Sequence, residues 1–304
     1  MPSKLKVLIT GASGYIASQM LVTYRDRYDL TLIDAINTDR EGNPVAGVEI
    51  VDLIDTDRSK YEQYFANQDA IIHLAYKRSS PGGVYGSDVP HIDRFATELE
   101  NVQMANNIYR CAYDAGVNRV VVASSNHAAD WYEHALIHNR KKEMVFPEEL
   151  PLSDNFYGWA KAAYELLAYP YACGAFGRKM EIVQVRIGNP RETNAAELLS
   201  HADNLHGGSG KSTYKRGLGA HFSQRDLRQL FTKAIETPDI SNEHGVPWLI
   251  VYGISANSRA FWSLETARNV LGYEPEDDSE LKFANDIVGH LTVADPAGPG
   301  KVGD

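Results

Sequence analysis

The sequence predicts an α/β fold in which a doubly wound parallel sheet carries helices on both faces. Six short apolar runs rich in Val, Ile and Leu alternate with helix-length segments up to residue 187. Continuous apolar runs of this length are typical of strands buried on both faces, between two layers of helices. The chain has 304 residues, of which 43% are hydrophobic and 23% charged. That is enough to bury one large core and to carry a small C-terminal lobe.

The predicted elements follow one another in a regular order. The strands are residues 5–10, 30–34, 48–52, 70–74, 119–124, 181–187 and 247–252. Helical segments are predicted over residues 95–115, 157–173, 223–235 and 263–271. Residues 188–219 contain few apolar side chains and many Gly, His, Ser and Asn, which predicts a long loop of the kind that forms a lid or a binding segment. The Pro- and Gly-rich residues 294–304 predict a disordered tail.

The charge and the cysteine content disfavour several classes of function. Lys and Arg number 30 and Asp and Glu 40, a formal charge of −10, whereas proteins that bind nucleic acid or anionic membranes use basic surfaces. No run approaches the roughly 20 apolar residues of a membrane helix, and no signal-peptide core precedes the first strand. Two cysteines, Cys111 and Cys173, are too few for a disulfide framework, and the ten histidines show no metal-ligand spacing. We therefore expect a cytoplasmic protein without a bound metal.

A glycine motif directly follows the first predicted strand, in Thr10-Gly11-Ala12-Ser13-Gly14-Tyr15-Ile16-Ala17. Gly11 permits a tight turn. Gly14 lets the backbone approach a pyrophosphate, whose charge the N–H groups of the next helix favour. Ala17 stands where the strict motif has its third glycine, a substitution that the motif tolerates. A short glycine motif also occurs in plain strand–helix turns, so its meaning depends on the residues that follow.

A carboxylate at the end of the second strand supports binding of a dinucleotide. Asp34 lies 20 residues after Gly14, where a carboxylate accepts hydrogen bonds from the adenosine ribose. A 2′-phosphate would meet this negative charge, so the sequence predicts NAD rather than NADP, although Arg40 nearby weakens the preference. Asp52 and Leu53, after the third strand, either contact the adenine or form a solvated strand end.

Tyr157 and Lys161 stand four residues apart and therefore share one face of their predicted helix. An ammonium near a phenol lowers the phenol pKa from its usual value of about 10. The resulting phenolate can take a proton from a hydroxyl as hydride leaves the same carbon. Ser124 and Ser125 end the fifth strand, where a serine can hydrogen-bond the reacting oxygen or simply cap a helix. The spacing of Tyr157 and Lys161 is common by chance, but its combination with the glycine motif, Asp34 and the serine pair is not.

With these motifs the chain resembles the extended short-chain dehydrogenase/reductase superfamily, which includes NAD-dependent sugar epimerases and dehydratases. The strings at 123–127, 186–188 and 252–257 look most like those of uronate dehydrogenases. The resemblance implies a Rossmann domain over 1–188 and a substrate-binding loop and C-terminal lobe over 189–293. It further implies an oxidoreductase that oxidises the C1 hydroxyl of an aldose to a lactone with NAD. A homodimer or larger homo-oligomer, built on the helices near 95–115 and 157–173, is expected by the same analogy.

The resemblance also implies roles for individual residues. Ser125 and Tyr157 would hold and deprotonate the sugar hydroxyl, while Lys161 would hold the nicotinamide ribose and tune Tyr157. The expected cofactor contacts are Gly11, Ser13, Gly14, Tyr15, Ile16, Asp34, Asp52, Leu53, Leu74, Ala75, Tyr76, Lys161 and Ile187. The expected substrate contacts are Arg78, Ser79, Ser125, Asn126, His127, Tyr157, Asn189 and Arg216.

Arg216 bears on the class of sugar. It stands seven residues before Ser223, the position of the arginine that binds the substrate carboxylate in uronate dehydrogenases, and a guanidinium suits a carboxylate or a phosphate. A hexuronate is therefore the leading substrate. Lys211 and Lys215, in a segment that looks longer than in those enzymes, either favour a sugar phosphate such as glucose 6-phosphate or are solvated loop residues. A nucleotide-sugar epimerase or dehydratase, and a non-catalytic NAD-binding protein of the same fold, are the remaining alternatives.

Overall fold

Seven parallel strands form one sheet in a computed structural model that describes residues 3–78, 90–191 and 210–293. The spatial order is β3-β2-β1-β4-β5-β6-β7, and every neighbouring pair runs parallel. The strands are β1 (Lys6–Thr10), β2 (Asp29–Asp34), β3 (Val48–Ile50), β4 (Ala70–His73), β5 (Arg119–Ser125), β6 (Glu181–Ile187) and β7 (Trp248–Gly253). The predicted doubly wound fold is confirmed.

Helices cover both faces of the sheet and build the C-terminal part. They are α1 (Tyr15–Arg27), α2 (Phe95–Asp114), α3 (Asp130–Tyr132), α4 (Phe156–Ala172), α5 (Gly210–Gly219), α6 (Gln224–Glu236), α7 (Glu265–Leu271), α8 (Ser279–Lys282) and α9 (Ala284–Val293). A wide helical turn over Glu133–Ile137 continues α3. Within the three described ranges, no helix is both long and apolar enough to cross a membrane.

Alternate residues of the central strands pack into two separate cores. Val7 and Ile9 of β1 belong to the core shared with α1 and α6, whereas Leu8 belongs to the core shared with α2 and α4. Successive side chains of a strand point to opposite faces, so each apolar run supplies both cores. This explains why the strands are continuous apolar runs rather than alternating ones.

The prediction of a loop over 188–219 is wrong at its C-terminal end, because Gly210–Gly219 is the helix α5. Tyr214 and Leu218 are one helical turn apart, and they form a small apolar cluster with Phe283 and Ile287. Burial against these distant side chains compensates for the low helix propensity of the glycines. Residues 192–209 of the predicted loop, like the predicted tail at 294–304, lie outside the described residues.

The C-terminal part also contributes to the sheet, since β7 pairs with β6 along its length. The division between residues 188 and 189 stays a prediction. The carboxyl ends of all seven parallel strands lie at one edge of the sheet, which is where ligands bind in folds of this kind. The residues predicted to act on cofactor and substrate follow these strand ends.

Candidate active site

The glycine turn after β1 is held tightly against the segment after β4. Gly11 has a φ of +71°, and a Cβ there would lie 2.5 Å from the backbone nitrogen of Ala75. Only glycine tolerates both the left-handed backbone and this close approach. Gly14 caps α1 without a side-chain hydrogen bond, and the first turn of α1 holds no acidic residue. The N–H groups that open α1 are thus available to an anionic phosphate, so this turn fits the dinucleotide that the motif predicts.

Asp34 is fixed at the end of β2 by the same turn. Its carboxylate accepts hydrogen bonds from the N–H of Ser13 at 2.9 Å and the N–H of Ala35 at 2.7 Å. Burial raises the pKa of Asp34, although the backbone donors oppose the shift. The Arg40 guanidinium lies 4.9 Å from the ring centre of Tyr15, the residue that follows Gly14 and opens α1. A carboxylate and an arginine therefore both lie near the predicted ribose site.

The remaining predicted cofactor contacts lie around this edge of the sheet. Leu74 and Ala75 follow β4 and are half-buried, and Ile187 ends β6 with 5% of its surface exposed. Tyr15 and Ile16, also half-buried, open α1. Asp52 is exposed and accepts from the N–H of Ile54, while Leu53 is buried in the core. Burial of Leu53 restricts any contact with the adenine largely to its backbone.

The first turn of α4 is locked onto the segment that follows β5. The Asn155 side chain caps α4 by accepting from the N–H of Gly158 at 2.9 Å. A Cβ on Gly158 would lie only 2.0 Å from the carbonyl oxygen of His127 and 2.1 Å from Oγ of Ser153. Glycine at 158 therefore allows α4 to approach β5 closely, and this approach sets the position of Tyr157.

Tyr157, Lys161 and Ser125 come together at the carboxyl end of β5. The Nζ atom of Lys161 donates to the carbonyl of Ala123 at 2.9 Å and lies 5.9 Å from the ring centre of Tyr157. Ser125, with 4% of its surface exposed, accepts from the N–H of His127 at 3.3 Å. The geometry joins the phenol, the ammonium and the serine hydroxyl that the sequence singles out.

Burial and neighbouring charges tune these groups. Burial raises the pKa of Tyr157 to about 12, against a hydrogen bond with Ser125 that lowers it. Burial lowers the pKa of Lys161 to about 8, although the carboxylates of Glu98 and Glu165 act in the opposite direction. A positively charged ligand beside the phenol would favour its ionised form. The ammonium of Lys161 is available for that purpose near neutral pH.

A buried ion pair between Glu165 and Arg186 lies next to Lys161, one turn further along the helix α4. One turn after Lys161 on α4, Glu165 forms a bidentate pair with Arg186 of β6 at 2.8 and 2.9 Å, and both side chains are completely buried. Ser124 donates to the same carboxylate at 2.7 Å. The network connects β5, β6 and α4, and within it the first serine of the pair, Ser124, has a structural role.

His127 belongs to a second polar group beside Tyr157. Its Nδ1 lies 2.6 Å from a carboxylate oxygen of Asp130, and its ring packs edge-on at 5.5 Å from the ring of Tyr157. Asn155 donates to the same oxygen of Asp130 at 3.0 Å. Asp130, with 1% of its surface exposed, therefore orients the imidazole that the sequence predicts to contact sugar hydroxyls.

Arg216, on α5, contacts the carboxylates next to His127. Its Nε donates to Glu133 at 2.8 Å, and its Nη2 lies 3.9 Å from Asp130. Its guanidinium also lies 5.7 Å from the ring centre of Trp262. The structure thus brings the predicted anion-binding residue into contact with the group around His127, where two buried carboxylates partly neutralise it.

The other predicted substrate residues are spread around this group. Asn126 is buried next to Ser125, and Asn189 follows β6, where its backbone pairs with the segment that begins α6. Arg78 is exposed after β4. Ser79 lies outside the described residues. Lys215 is half-buried on α5, and the side chain of Lys211 is not among those described.

Sequence reasoning missed Asp130, Glu133 and Glu98 as members of the site. The spacing of His127 and Asp130, three residues apart after a strand, is the signal that could have identified the first. Asp130, Glu133 and His134 offer ligand atoms within 4.8 Å of one another. Arg216 already supplies positive charge to this cluster, which disfavours a cation there. The expected absence of a metal stays a prediction.

Comparison with known proteins places the chain in a family. The model of the NAD dependent epimerase/dehydratase family matches residues 7–190. The chain therefore belongs to this family of the short-chain dehydrogenase/reductase superfamily. The match spans the glycine turn, Tyr157, Lys161 and the strands that carry them.

Several individual relatives of this chain are named as sugar dehydrogenases. A glucose-6-phosphate dehydrogenase of Haloferax volcanii, named as NAD-dependent, is 31% identical over 90% of this chain and 94% of its own. A uronate dehydrogenase of Pseudomonas syringae pv. tomato is 27% identical over 91% of this chain and 83% of its own. The crystal structure of a uronate dehydrogenase variant from Agrobacterium tumefaciens in complex with NAD has a TM-score of 0.69, with 25% identity over 98% of this chain and 93% of that one. The resemblance to uronate dehydrogenases is confirmed.

Proposed function

We propose that the protein is an NAD-dependent sugar dehydrogenase that oxidises the C1 hydroxyl of an aldose to a lactone. The observation that carries the proposal is the meeting of Tyr157, Lys161 and Ser125 at the same sheet edge as the Gly11–Gly14 turn. Their common position at the carboxyl edge of the sheet supports a site in which the phenol and the dinucleotide act on one carbon. The named activities of the relatives, which oxidise sugars, support the same reaction class.

The cofactor would be held by the glycine turn, by Asp34 and by Lys161. NAD supplies the acceptor for the hydride that leaves C1. The N–H groups opening α1 would bind the pyrophosphate, and Asp34 would accept from the ribose hydroxyls. Its charge disfavours a 2′-phosphate, so NAD is preferred over NADP.

The side chains of the protein would carry out the proton transfer. The phenolate of Tyr157 takes the proton of the C1 hydroxyl as the C1–H bond breaks and the C1–O double bond of the lactone forms. Lys161, with its ammonium 5.9 Å from the ring centre of Tyr157, stabilises the phenolate. Ser125 and His127 would bind sugar oxygens, since both lie beside Tyr157.

The substrate would carry an anionic group that reaches Arg216. A hexuronate is the leading candidate, as in the P. syringae relative. A sugar 6-phosphate is the second, because the H. volcanii relative is named for glucose 6-phosphate. A carboxylate and a phosphate both suit a guanidinium, so the assay includes both.

A sugar panel with NAD tests the proposal. Glucuronate, galacturonate, glucose 6-phosphate, glucose and arabinose are each incubated with the protein and NAD or NADP, and free NADH or NADPH is followed by absorbance. We expect stoichiometric NADH with an anionic aldose and formation of its lactone. Tightly held NAD with no net NADH, together with epimerised UDP-glucose in a parallel reaction, would indicate an epimerase instead.

The proposal includes a homodimer or larger homo-oligomer built on α2 and α4, and a cytoplasmic location. Large apolar side chains of these two helices are exposed next to one another, with Phe95 45%, Leu99 46% and Trp159 36% exposed. The rings of Phe95 and Trp159 lie 5.5 Å apart, so they form one continuous patch, and such patches often mark contacts between proteins. Light scattering of wild type and of a Phe95→Glu variant tests this surface, with a monomeric variant expected.

A further inference from the structure

Glu98 is a carboxylate buried within the layer formed by α2 and α4. Only 1% of its surface is exposed. One oxygen accepts from the hydroxyl of Tyr76 at 2.5 Å, and the other accepts from Nδ2 of Asn101 at 3.4 Å. A buried carboxylate is costly unless donors and counter-charges compensate it. The groups around Glu98 therefore decide what it does.

Positive charge faces Glu98 from two sides. Burial raises the pKa of Glu98, whereas the Tyr76 hydrogen bond, the ammonium of Lys161 and the guanidinium of Arg94 lower it. Arg94 precedes α2 and Lys161 lies on α4, so the two cations come from different elements. The carboxylate is thus linked electrostatically to the proposed catalytic pair.

Tyr76 connects Glu98 to that pair by direct contact. Its ring packs edge-on against the ring of Tyr157, with 5.4 Å between centres and an angle of 83°. The Nζ atom of Lys161 lies 5.1 Å from the ring centre of Tyr76. A displacement of Tyr76 would therefore change the contacts of both Tyr157 and Lys161.

Three phenols stand beside one lysine, because the Nζ atom of Lys161 lies 4.6 Å from the ring centre of Tyr164, 5.1 Å from that of Tyr76 and 5.9 Å from that of Tyr157. The charge of Glu98 helps to distinguish them. Burial and the adjacent charge of Glu98 raise the pKa of Tyr76 far above its usual range. Tyr76 remains a protonated donor to the carboxylate. The pKa of Tyr157 is raised only to about 12, since Ser125 opposes the effect of burial. Burial and the charge of Glu98 also raise the pKa of Tyr164 well above its usual value. Of the three phenols, Tyr157 is therefore the one that can ionise.

We propose that Glu98 is a positioning residue of the active site. Its carboxylate holds Tyr76 against the Tyr157–Lys161 pair, and its negative charge sets the pH range in which that pair transfers a proton. This inference rests on the proposed function, because it takes Tyr157 as the base. The titratable and charged groups that face Glu98 are Tyr76 after β4, Arg94 before α2, and Tyr157, Lys161 and Tyr164 on α4.

The sign of the effect follows from the charge. A negative charge favours the protonated form of each neighbouring group, so Glu98 raises the pKa of both Tyr157 and Lys161. Removing the charge lowers both values together. The whole pH profile of the reaction should then move to lower pH without changing its shape.

The test compares Glu98→Gln with wild type. Gln keeps an acceptor for Tyr76 but removes the charge. We measure kcat/KM against pH with NAD and with glucuronate or glucose 6-phosphate, whichever wild type oxidises. The profile should shift to lower pH by about half a unit to one unit, and Glu98→Asp should return it toward wild type. Glu100→Gln is the matched control, because Glu100 lies on the same helix but pairs with Lys77 at the surface, with 43% of its side chain exposed.

A second measurement separates this inference from the proposed function. The pKa of Lys161, about 8 in the free protein, is followed by NMR of labelled lysine Cε in wild type and in Glu98→Gln. A lower Lys161 pKa in the variant supports the inference even if no sugar is oxidised. An unchanged Lys161 pKa in a folded variant, or a pH profile that superimposes on that of wild type, would overturn it and leave Glu98 a structural residue only.

Discussion

The guanidinium of Arg216 is paired with Glu133, which accepts from its Nε at 2.8 Å and has only 1% of its surface exposed. The arginine expected to bind the anionic group of the sugar therefore already has a buried partner. Asp130 adds a second carboxylate at 3.9 Å from Nη2. The negative charge of these two carboxylates lowers the attraction of the guanidinium for an anion. If Arg216 binds the anionic group as proposed, Glu133 adjusts how strongly the site selects a charged sugar.

Replacing Glu133 by Gln should strengthen the binding of anionic sugars. Gln keeps the acceptor for Nε and removes the charge, so we expect KM for glucuronate or glucose 6-phosphate to fall by about three- to tenfold. KM for a neutral aldose should stay within about twofold. Arg216→Ala should have the opposite effect and raise KM for the anionic sugar alone. Equal changes for charged and neutral sugars would remove this pair from the substrate site, and Glu243→Gln, at the exposed surface, serves as the control.

Tyr157→Phe should abolish turnover and leave NAD binding intact. The variant keeps the ring that packs against Tyr76 and His127 but loses the oxygen that we propose takes the proton. We expect kcat to fall by at least about a hundredfold, while the Kd for NAD, measured by calorimetry, changes little. Tyr169→Phe provides the control on the same helix, because Tyr169 is 41% exposed. A variant that retained more than a tenth of wild-type kcat would exclude Tyr157 as the base.

Much of the fold could be predicted because its signals are local. The apolar run at 181–187 coincides with β6, and the Tyr157–Lys161 spacing lies at the start of a helix as expected. The missed features depend on distant partners. The helix α5 is stabilised through Tyr214 and Leu218 by Phe283, which lies between α8 and α9, and by Ile287 of α9. Glu98 cannot be distinguished from Glu100 by sequence, because only the fold shows that one is buried beside Lys161 and the other exposed.

Asp34→Ser should weaken the preference for NAD over NADP. The substitution removes the carboxylate that we propose disfavours a 2′-phosphate. Arg40, which lies 4.9 Å from the ring centre of Tyr15, remains and would attract that phosphate. We expect the ratio of kcat/KM for NAD to that for NADP to fall by about ten- to a hundredfold. Adding Arg40→Ala should reverse part of the gain with NADP. An unchanged ratio in Asp34→Ser would show that this carboxylate does not face the ribose.

Gly158→Ala should damage the site through packing rather than chemistry. The added Cβ would lie 2.0 Å from the carbonyl oxygen of His127 and 2.1 Å from Oγ of Ser153, so α4 must move away from the segment after β5. We expect the free energy of unfolding to fall by about 1–3 kcal/mol and kcat to fall with it, because Tyr157 precedes the displaced residue. Gly289→Ala is the matched helical control, since among the described residues its Cβ would meet no atom within 4 Å, and it should leave kcat unchanged. Thermal unfolding and kcat are measured for both variants. A Gly158→Ala protein with wild-type stability and activity would mean that α4 does not depend on this contact to position Tyr157.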